Sequence, residues 1–154
     1  MGNRMHTRLL SFIAIAGFAW TSLAAGQTAI TTHAVTVRAG PDRHFPSVTW
    51  LLNGASVTVT GCVENWRWCD VTAGRDRGWV YSRYLAVPSG GRTVTIMAGG
   101  PTLGLPTVEF AIGPYWSSNY QGRPWFGNQP YWENRWQRRP PQSAWRPPAT
   151  TPPN

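Results

Sequence analysis

Between residues 34 and 87 the chain alternates apolar and polar side chains in short runs cut by tight turns, and this pattern constrains the fold more than any other feature. Residues 34–38 (AVTVR) and 56–60 (SVTVT) repeat with a period of two, which marks strands with one buried face. Ala39-Gly40-Pro41-Asp42 opens a loop that runs to about Ser47, and Asn53-Gly54 is a second turn signal. Glu64-Asn65 lies at a third turn, and 74–78 (GRDRG) is a fourth. Residues 79–81 and 84–87 read as two further short strands. Within 27–88 no segment shows a 3.6-residue apolar period. Five to six short strands joined by tight turns in so small a segment predict an all-β fold, a small closed barrel. Its expected filling is Val35, Val37, Val48, Leu52, Val57, Val59, Val71 and Val80, with φ > 0 expected at Gly40 and Gly54.

The same residues resemble a known family. Val35-Thr36-Val37-Arg38-Ala39-Gly40-Pro41 is similar to the opening signature of bacterial SH3 (SH3b) domains. Phe45-Pro46-Ser47-Val48 follows at the family's usual distance, and then Leu52, Gly54, Val57 and Val59. Trp68 with Val71, and Gly78-Trp79-Val80 with Tyr84-Leu85, complete the pattern in order and spacing. The resemblance covers about residues 30–87 and implies an SH3-like barrel. Trp66 and the Cys62/Cys69 pair depart from the general pattern. The resemblance also implies a ligand face between the 39–48 loop and the hairpin near 64–68. The ligand-binding candidates there are Asp42, Phe45, Trp66, Arg67 and Tyr81.

Outside the barrel the chain divides by composition. Residues 1–26 read as a secretory signal peptide: Arg4, His6 and Arg8, an apolar run over 9–23, then small residues at 24–26. The 15-residue run is shorter than the roughly 20 residues of a permanent span, so no stable membrane span is expected after signal removal. The expected location is the periplasm or the medium. Residues 89–136 form an aromatic, Gly-rich extension, in which 107–112 (TVEFAI) alternates like a strand. Two readings stand for it: a β-hairpin extension packed on the barrel, or an adhesive, partly ordered segment. Residues 137–154 form a Pro-rich tail whose composition predicts extended, disordered chain.

The chain carries 14 Arg, no Lys and six acids, and loss of Arg4 and Arg8 with the leader would take the net charge from +8 to +6. Such a charge favours anionic partners, and export sets nucleic acid aside. A GC-rich codon usage explains the Arg excess equally well. Cys62 and Cys69, in one hairpin of an exported chain, read as a disulfide. No metal site is expected, because no His is spaced to join the two Cys. No carboxylate pair, nucleophile–base pair or phosphate loop appears, so neither a cofactor nor an enzyme is expected.

A binding role rests on aromatics and Arg. Trp68 and Trp79 read as core or groove wall, and Trp66, at a loop tip, as exposed. Arg38, Arg67, Arg75 and Arg77 are candidates to hold carboxylates such as those of peptidoglycan stem peptides. The expected function is a non-catalytic envelope module that recognises peptidoglycan or an envelope protein. The alternative is a structural or interaction protein whose Trp- and Pro-rich C-terminal part makes the contacts.

Overall fold

The computed structural model describes residues 26–140; residues 1–25 and 141–154 lie outside the described residues, and with them most of the expected signal peptide and tail. Eight antiparallel strands form one sheet: β1 (Gln27–Thr31), β2 (Val35–Arg38), β3 (Ser47–Leu51), β4 (Ser56–Cys62), β5 (Trp68–Ala73), β6 (Asp76–Tyr81), β7 (Leu85–Ser89) and β8 (Arg92–Thr95). Their order is β3-β2-β6-β5-β4-β1-β7-β8. The period of two holds. Val35 and Val37 of β2 and Val57 and Val59 of β4 point inward, and Val37, Val59, Val71, Val80, Leu85 and Val87 are wholly buried.

Several expectations need correction. Leu52 follows the end of β3 and is 64% exposed, so it does not fill the core. Gly54 adopts φ 78°, as a two-residue reversal demands, but Gly40 does not have positive φ. Gly40 is required for space, since a Cβ there would stand 2.6 Å from the Phe45 ring. The expected turn at 74–78 closes to Gly74 and Arg75, and Asp76 already pairs with Ala73.

The extension is mostly helical. β8 folds back on β7, and the chain then forms α1 (Ile96–Gly99), α2 (Ile112–Asn119) and α3 (Gln129–Gln137). The expected strand over 107–112 is absent. Thr107 makes one isolated bridge to Cys62, and Ile112 opens α2. Alternation there reflects packing on the barrel: a Cβ at Gly61 would collide with Val108 and Pro106. Gln137, assigned to the tail by composition, is the last residue of α3.

The extension supplies the apolar cover that a barrel this small lacks. Ile112 and Trp116 are at most 1% exposed and belong to the same core as the barrel valines. Trp116 Nε1 donates to the Ala39 carbonyl at 2.8 Å, and Tyr120 Oη donates to the Arg77 carbonyl at 2.7 Å. A partly buried polar cluster around the buried Asp70 fixes the same contact. Asp70 accepts from Arg77 Nε and Nη2 at 2.5–3.2 Å and from Tyr115 Oη at 2.5 Å. Burial, then the Asp70 charge, pushes the Tyr115 phenol far above its usual range, and burial pushes Tyr120 up too.

Candidate functional site

β5 and β6 pair with Trp68 opposite Tyr81, so the two rings share one face of the sheet. Their centroids lie 5.4 Å apart. The turn after β6 brings Tyr84 to 5.9 Å from Tyr81, and the β1–β2 connection brings His33 to 5.3 Å from Tyr84. Four rings in a row thus form a shelf, three of them lining a groove of about 580 Å³. Arg38, Arg43 and Arg67 line the same groove, with Asp42 on its edge. The groove can present flat apolar faces to sugar or proline rings and guanidinium forks to carboxylates.

Three of the five candidate residues meet there: Asp42, Arg67 and Tyr81. The other two do not. Trp66 is 4% exposed, contrary to the exposed loop tip expected for it. It sits at φ 58°. The Trp66 amide donates to the Val63 carbonyl at 2.8 Å, and the buried Ser82 hydroxyl donates to the Trp66 carbonyl. These bonds turn the hairpin back and carry the indole into the core. The hairpin is closed by the Cys62–Cys69 disulfide.

Phe45 is 3% exposed and faces away from the groove, stacked on Trp132 at 5.3 Å and near Phe110 and Trp136. Arg77 is taken up by Asp70, Trp79 is core at 1% exposure, and Arg75 lies in the exposed β5–β6 turn. Sequence reasoning placed Trp68 correctly as core or groove wall but missed His33, Arg43 and Tyr84. The cross-strand register implied by the 74–75 turn would have put Trp68 beside Tyr81.

Asp42 is held by its own loop. Its Oδ1 accepts from the His44 amide at 2.8 Å and lies 2.7 Å from His44 Nδ1. Arg38 Nη1 donates to the Phe45 carbonyl at 3.0 Å, which ties the far end of that loop to β2. Among the described residues no cluster of three His, Cys, Asp or Glu could hold a metal ion. No helix among them is long and apolar enough to cross a membrane.

Residues 33–86 match the bacterial SH3 domain family, and that stretch of the chain is a bacterial SH3 domain. No curated protein and no solved structure matches the chain. Domains of this family are typically binding modules, often for cell wall, and commonly extracellular.

Proposed function

We propose that the protein is an exported, non-catalytic module that binds peptidoglycan through the groove of its SH3 domain. The observation that carries this reading is the aromatic row of Trp68, Tyr81 and Tyr84 beside Arg38, Arg43 and Arg67. Sugar rings stack on the aromatic row, and stem-peptide carboxylates take the guanidinium forks. The signal-peptide pattern over 1–26 supports an envelope location.

Co-sedimentation of the mature chain with purified sacculi tests this. Tyr81→Ala and Arg67→Gln should each weaken binding by about 1–2 kcal/mol, or roughly five- to thirtyfold. Phe45→Ala and Trp66→Ala should act through stability instead, because both side chains are buried. A wild-type chain that stays in the supernatant at every salt concentration refutes peptidoglycan binding.

A further inference from the structure

A second cleft, of about 730 Å³, lies on the other side of the 39–45 loop. Trp132 and Trp136, packed over the buried Phe45, form its apolar wall, and Arg135, Arg138 and Arg139 at the α3 end also line it. Arg135 sits in the last turn of α3, Arg138 caps its end and Arg139 follows, so the three meet at one end of the helix. Basic residues at a helix C-terminus also answer the helix dipole. That explains their sign but not the open aromatic wall beneath them. Arg139 lies over the Trp136 ring with its Cζ 2.9 Å from the centroid. Burial lowers its pKa, opposed by the nearby Asp42 charge. Among the described residues no carboxylate stands within ion-pair distance of Arg135, Arg138 or Arg139.

The two clefts share Asp42 as a lining residue, so the 39–45 loop is the partition between them. Asp42 is also the sole acid lining either cleft, and its Oδ1 is already engaged by His44. Two Arg outside the clefts are engaged internally: Arg77 pairs with Asp70, and Arg123 with Asp76. Six Arg are thus concentrated along one continuous pair of clefts, an arrangement that focuses potential on an extended anion.

We propose that the α3 cleft is a second subsite for the wall polymer bound in the groove, so that one chain bearing spaced carboxylates lies across the Asp42 partition. This rests on the groove reading above. Carboxylates would take Arg135, Arg138 and Arg139, while sugar or aliphatic faces lie against Trp132 and Trp136.

The test uses the full mature chain and purified sacculi, either native or with stem-peptide carboxylates amidated. The triple variant Arg135→Gln, Arg138→Gln, Arg139→Gln should bind native sacculi at least about tenfold more weakly, the effect of losing one charge-assisted contact. It should match wild type on amidated sacculi. A control triple that removes the same charge elsewhere (Arg75→Gln, Arg83→Gln, Arg92→Gln) should bind native sacculi within about twofold of wild type. Equal losses from both triples would show diffuse attraction and overturn the proposal. If the α3 triple binds like wild type while Tyr81→Ala loses binding, the second subsite falls and the groove reading stands. If wild type itself does not bind, both fall.

Discussion

Replacing Trp116 tests whether the helical extension is part of the SH3-domain core or merely rests on it. The indole is wholly buried and lies 4.7 Å from the Trp125 ring and 6.4 Å from the Phe45 ring. Its Nε1 bonds to the carbonyl of Ala39, itself 0% exposed, at the root of the loop that separates the two clefts. Trp116→Ala opens a cavity that the surrounding rings cannot fill, a change that costs about 3–5 kcal/mol. Trp116→Phe keeps most of the packing but strands the Ala39 carbonyl, at about 1–3 kcal/mol. For a unit of this size each kcal/mol moves Tm by about 4 °C, so the Ala variant should melt roughly 12–20 °C lower. Urea unfolding followed by far-UV circular dichroism should show one transition at a lower midpoint with the slope unchanged. A midpoint within about 0.5 kcal/mol of wild type would refute the packing. So would two transitions with only the minor one shifted, because the extension would then unfold apart from the barrel.

Three further outcomes follow from particular contacts. Reduction of Cys62–Cys69, seven residues apart, should cost about 2.5 kcal/mol and lower the urea midpoint; an unchanged midpoint would mean the bridge constrains nothing. Tyr115 and Tyr120 have phenol pKa values raised above the ordinary 10.0 by burial, so the folded chain holds protons that the unfolded chain releases. Stability from these groups is therefore complete below about pH 10 and falls as pH rises beyond it, and a urea midpoint that stays flat from pH 9 to 11 would contradict this. Gly40→Ala forces a methyl group into the Phe45 ring and should destabilise by about 1–3 kcal/mol, whereas free accommodation would show the loop to be loosely packed.

The SH3-domain barrel was legible because its signals are local. Val35, Val37, Val57 and Val59 report the inward face through a period of two, and Asn53-Gly54 supplies the reversal that needs positive φ. Asp42, Arg67 and Tyr81 were expected at one face through the family resemblance, and all three line the same groove. The failures were non-local. Trp66 turns inward because a hydroxyl sixteen residues away, on Ser82, holds its carbonyl, which nothing near Asn65 announces. Phe45 is covered by Trp132 and Trp136, contributed by a helix nearly ninety residues later. The helices themselves give weak periodic signals. In α3, Tyr131 is exposed while Trp132 and Trp136 pack on Phe45 and Phe110, which lie outside the strands. The alternation over 107–112 came from one edge of the segment lying along Cys62, not from pairing in the sheet.

The indole N–H signals of the nine Trp that follow residue 26 provide the most direct probe of where the chain binds. Titration of the mature protein with soluble peptidoglycan fragments, followed by nitrogen–proton correlation spectra, should shift the indole of Trp68 in the groove and those of Trp132 and Trp136 in the α3 cleft. The buried indoles of Trp66, Trp79 and Trp116 should stay in place. Shifts confined to Trp50 on β3, with Trp68 unmoved, would contradict recognition through the groove.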